Sequence, residues 1–146
     1  MFKKTITYTD FNDEERTETF YFNLTKTELA KLEYSKGGGL TEWIRRAVEK
    51  KDGKSILETF DEILKATYGV KTPDGTGFMK SEASFEAFKA TNAYDILFME
   101  LVTDADAAAQ FIIECMPKDV QTKAREEMSK QTNNIDDAST IKKVES

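Results

Sequence analysis

The sequence contains no histidine, one cysteine and two prolines in 146 residues. The absence of histidine excludes Ser-His-Asp and Cys-His catalysis as well as histidine-ligated metal sites. The single cysteine, Cys115, cannot close an internal disulfide, which favours a reducing compartment. No apolar run approaches the ~18 residues of a membrane span. The first eleven residues, MFKKTITYTDF, lack the apolar core of a signal peptide. We therefore expect a soluble cytoplasmic protein.

Positive charge is also in deficit, with 21 Lys and Arg against 27 Asp and Glu and a net charge of −6. The deficit is local. Residues 1–69 carry 12 basic and 13 acidic side chains, residues 70–116 carry 3 and 8, and residues 117–146 carry 6 and 6. An acidic chain without a Lys/Arg cluster repels phosphate backbones, which argues against a nucleic-acid partner. The acidic middle segment is typical of a solvated face, which we favour over a metal site.

Two alternating segments at the N-terminus, residues 3–9 and 16–23, predict a β-hairpin. Because an isolated hairpin is marginally stable in water, we expect its face with Phe20 and Phe22 to pack on helices. Thr25 and Glu28 then have the spacing of a capping box, which predicts the start of the first helix.

Caps and apolar periodicity predict a bundle of about five to six helices. The first helix begins at the capping box and ends near Ser35, and the second is capped by Thr41 and ends near Lys51. The third follows Gly53, and the fourth is capped by Ser81. The last two helices cover residues 92–103 and 104–116. We expect the fold class to be mainly α (α+β). A single globular domain would occupy residues 1–117, with the hairpin at 1–23 and the bundle at 24–117. Residues 118–146 would be a polar helix and a disordered tail.

Glycine occurs only between residues 37 and 77 and marks the turns. The three glycines at 37–39 lack the following GKS or GKT of a phosphate loop, so they indicate a connector. Gly69 is predicted to end the helix after Gly53 in the left-handed conformation. Residues 70–77 predict a turn or a short hairpin loop. This segment is not a calcium loop, because Ala83 occupies the position of the bidentate glutamate.

The search for catalytic or metal chemistry returns no candidate. Cys115 follows an apolar helical run and is interpreted as a buried structural thiol. Asp104, Asp106 and Glu114 could converge, but acidic residues near a helix start are expected from the helix dipole. We therefore predict no enzyme, no cofactor and no metal site.

Apolar side chains on two predicted helices are candidates for partner contact. The segment at residues 92–103 has only a narrow polar stripe, which indicates a central core helix or an interface, and we favour the core. Trp43 is the only tryptophan, for which a core or helix-seam position is favoured over a partner anchor. The candidate interaction residues are Trp43, Tyr94, Phe98 and Leu101.

Several segments resemble the tail assembly chaperones of long-tailed phages of Gram-positive bacteria. They are KTITYTDFND at 4–13, FYFNLTKTEL at 20–29, YGV at 68–70, LFMEL at 97–101, TDADAAA at 103–109 and FI at 111–112. The resemblance extends over about residues 1–117, and residues 118–146 carry none of these segments. It implies a small, mainly helical, non-enzymatic protein of the host cell cytoplasm that is not retained in the mature virion.

The same resemblance implies the partners. Such chaperones coat the tape-measure protein before the tube polymerises and help to recruit tail-tube protein, and many also exist as a longer, frameshifted form. We expect no nucleic-acid or membrane partner, and a homo-oligomer is left open. Two alternatives also remain open. The protein could be a structural tail-completion or head–tail joining component of the virion, or a host-directed inhibitor that acts by acidic mimicry.

Overall fold

The structure is a computed structural model that describes residues 1–35, 45 and 53–126. The described strands and helices are β1 (Phe2–Thr9), β2 (Glu15–Phe22), α1 (Lys26–Ser35), α2 (Gly53–Thr67), β3 (Tyr68–Lys71), β4 (Phe78–Met79), α3 (Glu82–Lys89), α4 (Asn92–Thr103) and α5 (Ala105–Glu114). Residues 118–126 are also helical, as is Arg45. The rest of the helix predicted after Thr41, the connector at 37–39 and the predicted tail beyond residue 126 lie outside the described residues.

The expected fold class is confirmed, because an N-terminal antiparallel hairpin packs on a mainly helical domain. The carboxylate of Asp10 closes the hairpin turn by accepting hydrogen bonds from the backbone N–H groups of Asn12 (2.8 Å) and Glu14 (3.0 Å). Residues 70–77 include the predicted turn, which joins β3 to β4. The sequence did not predict that β3 pairs with the end of β2, which gives the antiparallel order β1-β2-β3-β4.

The prediction that Gly69 ends a helix in the left-handed conformation is wrong. Helix α2 ends at Thr67, and Gly69 lies in β3 opposite Tyr21. Its φ is outside the left-handed region, in contrast to Gly75 at 77° in the β3–β4 turn. Glycine is needed at position 69 for space, since a Cβ there would lie 2.4 Å from Cε2 of Phe78. Glycine is therefore required at position 69 because the Phe78 ring lies so close to the backbone, and not because the residue caps a helix.

The core lies between the inner face of the sheet and helices α2 to α5. Its aromatic centre is Phe22, which is fully buried. The Phe22 ring centroid lies 5.1 to 6.2 Å from those of four other rings, Phe2, Tyr68, Phe88 and Phe111. Tilted and edge-on contacts at these distances are the favoured geometries of aromatic pairs. The predicted packing of the hairpin on the helices is therefore confirmed.

Helix α4 is central and packs against β1, α2, α3 and α5. Its inner face is buried through residues such as Leu97 and Leu101, which confirms the core interpretation of residues 92–103. Two large apolar side chains on its outer face, Ile96 and Met99, are nevertheless exposed. No helix in the described ranges is both long enough and apolar enough to cross a membrane.

The predicted capping box at the start of α1 is confirmed. The N–H of Thr25 donates to Oε1 of Glu28 (3.0 Å), and the N–H of Glu28 donates to Oγ1 of Thr25 (3.1 Å). The second carboxylate oxygen of Glu28 accepts from Nζ of Lys80 at 2.6 Å. Lys80 also donates to the carbonyls of Asn23 (2.5 Å) and Ala66 (2.8 Å). One ammonium thus joins the ends of β2 and α2 to the start of α1.

The free energy of unfolding should depend on pH through the carboxyl group of Glu28. Partial burial raises its pKa, but the hydrogen bonds from Lys80 and Thr25 outweigh this and hold the pKa below its ordinary value of 4.5. A carboxyl with a lowered pKa in the folded state stabilises the fold above the unfolded-state pKa, and this contribution is lost as the pH falls through the folded-state pKa. We therefore expect Glu28→Gln to destabilise the protein at about pH 6, and the difference from the unmodified chain to shrink as the pH falls below 4.5. Chemical denaturation across this range measures the effect.

Glu86→Gln is the matched control for Glu28→Gln, because Glu86 is exposed on α3 and forms no ion pair within the described residues. Its free energy of unfolding should parallel that of the unmodified protein at every pH. A difference between Glu28→Gln and the unmodified protein that stays constant as the pH falls below 4.5 would contradict the assignment, because protonation of the Glu28 carboxylate removes the contribution.

Candidate protein-interaction site

Helices α2 and α4 pack side by side and leave a groove between them on the protein surface. Helix α2 begins after the 36–52 segment, and α4 is capped by Thr91, whose hydroxyl accepts from the N–H of Tyr94 at 3.3 Å. The groove has a volume of about 400 Å³. It is lined by residues of α2, α4 and the last turn of α3, namely Leu57, Glu58, Asp61, Lys89, Tyr94, Asp95 and Phe98.

The apolar part of the groove is formed by Leu57 and two aromatic rings. Leu57 of α2 is 48% exposed, whereas Phe98 of α4 is only partly exposed. The Phe98 ring packs edge-on against Phe60 at 6.5 Å and tilted against Tyr94 at 5.5 Å between centroids. Phe98 is thus held by the core on one side and presents the remainder of its ring to the groove.

One carboxylate of the groove is already paired. Asp61 accepts the hydroxyl of Tyr94 at 2.9 Å and the ammonium of Lys89 at 3.2 Å. Burial, together with the hydrogen bond to Asp61, raises the pKa of Tyr94 far above its ordinary value, so its hydroxyl stays a neutral donor. These contacts fix the side chains where the three helices meet.

The groove as a whole is acidic. Glu58, Asp61 and Asp95 supply three carboxylates, and Lys89 supplies one ammonium. Neither Glu58 nor Asp95 forms an ion pair in the part of the chain that the structure describes, and both side chains are exposed. The arrangement suits contact with an apolar surface that carries positive charge at its edges.

The structure brings two of the four predicted interaction residues together. Tyr94 and Phe98 both line the groove, although Tyr94 is only 9% exposed. Leu101 lies in the core, one turn beyond Phe98. Trp43 lies outside the described residues. The contact of these four with a partner stays a prediction.

Sequence reasoning missed the α2 wall of the groove. In the sequence, Leu57 belongs with Ile56, Phe60 and Leu64 to an apolar stripe with helical spacing, which predicts contact with the core. At 100° per residue it stands at the edge of that stripe, and the structure leaves it half exposed there. This position at the edge of the stripe was the only feature of the sequence that could have indicated the exposure of Leu57. The acidic residues Glu58 and Asp61 beside it gave no signal, because exposed carboxylates are usual on amphipathic helices.

The predicted burial of Cys115 is confirmed, and its thiol is fully inaccessible. Burial raises the pKa of this thiol far above its ordinary value, which keeps it in the unreactive protonated form. Within residues 1–35, 45 and 53–126, no three Cys, Asp or Glu side chains are grouped in a way that could hold a metal ion.

Comparison with known proteins identifies the family of the chain. The chain belongs to a family of phage tail assembly chaperones, whose model matches residues 1–146. This confirms the resemblance described above and extends it to residues 118–146. Chaperone families are generally non-enzymatic. No curated protein and no solved structure matches the chain.

Proposed function

We propose that this tail assembly chaperone binds the tape-measure protein of its phage, keeps it soluble and helps to recruit tail-tube subunits during tail assembly. The family match over the whole chain is the observation that supports this role. The groove between α2 and α4 is the proposed binding surface. It combines exposed apolar area with an acidic rim that keeps the complex in solution.

A groove between two helices is suited to a helical client. A third helix can lay its apolar ridge along such a groove and lose contact with water, as amphipathic helices do in other helix-in-groove complexes. Phe98 and the edge of Tyr94 would contact the client directly, while Leu101 would act by holding α4 in the core. Trp43 is proposed as an additional anchor. Together these are the predicted interaction residues in this function.

The client contact is tested by Leu57→Gln, which removes apolar area and adds no charge to the groove. Burying half of a leucine side chain is worth about 1 kcal/mol, so the affinity for co-expressed tape-measure protein should fall about fivefold. Because Leu57 is half exposed and glutamine keeps part of its aliphatic contact, the free energy of unfolding should fall by no more than about 1 kcal/mol. Phe98 is less suitable for this test, since it also packs against Phe60 and Tyr94.

Val70→Gln is the matched control for Leu57→Gln. Val70 is exposed to a similar extent, 45%, but lies in β3 and outside the groove. This variant should retain full binding. Equal affinity of the two variants would show that the groove is not the client surface. If the unmodified chain fails to retain tape-measure protein at all, the proposed function itself is wrong.

We place this activity in the host cell cytoplasm and propose that the protein is not retained in the mature virion. The alternative is a structural tail-completion or head–tail joining component. Mass spectrometry of purified particles separates the two functions, because a chaperone should be missing from the particles, whereas a structural component should be present in fixed copy number.

A further inference from the structure

The groove between α2 and α4 carries negative charge that the described residues leave unpaired. Among the described residues of its lining, Lys89 is the only cation, and it is already bound to Asp61 at 3.2 Å. Glu58 and Asp95 remain without an ion pair within the described ranges. They stand on two different helices, so both long sides of the groove carry a carboxylate.

The helix dipole accounts for only one of these two charges. Asp95 lies in the first turn of α4, where a carboxylate is stabilised by the N-terminal end of the helix. Glu58 lies beyond the first turn of α2, which contains no acidic residue. It caps no helix and pairs with no cation in the part of the chain that the structure describes, yet it stands next to Leu57, the most exposed apolar side chain of the described groove lining.

We infer that the occupant of this groove is an amphipathic helix whose apolar ridge is flanked on both sides by Lys or Arg. The inference rests on the proposed function, because it specifies the partner of the same surface. When a ridge covers Leu57 and Phe98, water is removed from the neighbouring carboxylates, which is unfavourable unless a cation replaces it. A client with acidic flanks would bring like charges together and be rejected.

Two synthetic amphipathic peptides test the charge selection with the full chain. Both carry the same leucine ridge, and one has Lys at the flanking positions where the other has Glu. We expect the Lys-flanked peptide to bind about tenfold more tightly at low ionic strength, because exposed ion pairs contribute modestly and add over the two sides. The preference should shrink as salt is added. Isothermal titration calorimetry measures both affinities.

The double variant Glu58→Gln/Asp95→Asn should reduce the tenfold preference to about threefold or less, since the residual selectivity would come from Asp61 and the net charge. Glu86→Gln/Asp106→Asn is its matched control. It also combines a mid-helix glutamate with a first-turn aspartate, both exposed and without ion pairs in the described part of the chain. This control should keep the preference.

Three results would overturn the inference. They are equal affinity for the two peptides, tighter binding of the Glu-flanked peptide, and the same loss of preference in the two double variants. Co-purification of tape-measure protein is scored separately. If it persists while neither peptide binds, charge selection in this groove is wrong and the chaperone function stands.

Discussion

Phe22→Ala should lower the free energy of unfolding by about 4 kcal/mol, the typical cost of removing a fully buried phenylalanine ring. The ring is inaccessible to solvent and contacts the rings of Phe2, Tyr68, Phe88 and Phe111, which belong to β1, β3, α3 and α5. These elements cannot all move into the vacated space, so a cavity remains at the junction of the hairpin and the helices. Because domains of this size have total stabilities of about 5–15 kcal/mol, a large part of the stability would be lost.

Urea denaturation followed by far-UV circular dichroism measures this effect. The matched control is Phe11→Ala, since Phe11 is 78% exposed in the β1–β2 turn and should change stability by less than about 0.5 kcal/mol. A loss below about 1 kcal/mol for Phe22→Ala would contradict the packing of the hairpin on the bundle, because an unpacked hairpin would not need this ring.

Lys80→Met should cost about 2 kcal/mol of stability. The methionine keeps most of the aliphatic stem but removes the donors to the carbonyls of Asn23 and Ala66 and to the carboxylate of Glu28. Hydrogen bonds to charged groups contribute about 1.5–3 kcal/mol, and partial exposure of the Lys80 side chain reduces the loss below that of a fully buried pair. Thermal or chemical denaturation at neutral pH measures it.

The control for Lys80→Met is Lys65→Met. The ion pair of Lys65 with Glu82 is longer, 3.6 Å, and both side chains are largely exposed, so its loss should have little effect. The double variant Lys80→Met/Glu28→Gln should be less destabilised than the sum of the two single variants, because each single change leaves one charge without its partner. Strict additivity would contradict a direct role of this ion pair.

Local signals predicted the helix starts well because the interactions that cap a helix lie within four residues. The capping box of Thr25 and Glu28 and the N-cap at Ser81 were readable for this reason, and the structure confirms both. Gly69 shows the limit of such reasoning. Its local pattern is that of a helix end, and the actual requirement comes from Phe78, whose ring needs the space of the missing side chain.

Of the two walls of the groove, only the one formed by α4 could be predicted from the sequence. Phe98 was recognised because its helix has an unusually wide apolar surface, but the α2 wall with Leu57 and Glu58 was not. Whether a residue at the edge of an apolar stripe is covered depends on which helix packs beside it. That neighbour is α4, more than thirty residues further along the chain.

The absence of histidine, the acidic excess in residues 70–116 and the local caps follow from the sequence by itself. These features excluded whole classes of chemistry and located the hairpin and most helices, because composition and short-range interactions need no knowledge of the fold. Three features were decided only by the tertiary structure. They are the addition of β3 and β4 to the sheet, the joining of three chain segments by Lys80, and the placement of Glu58 and Asp95 in one groove with Leu57. Each depends on contacts between residues that are distant in sequence. The strength of such contacts is set by burial and geometry rather than by residue type.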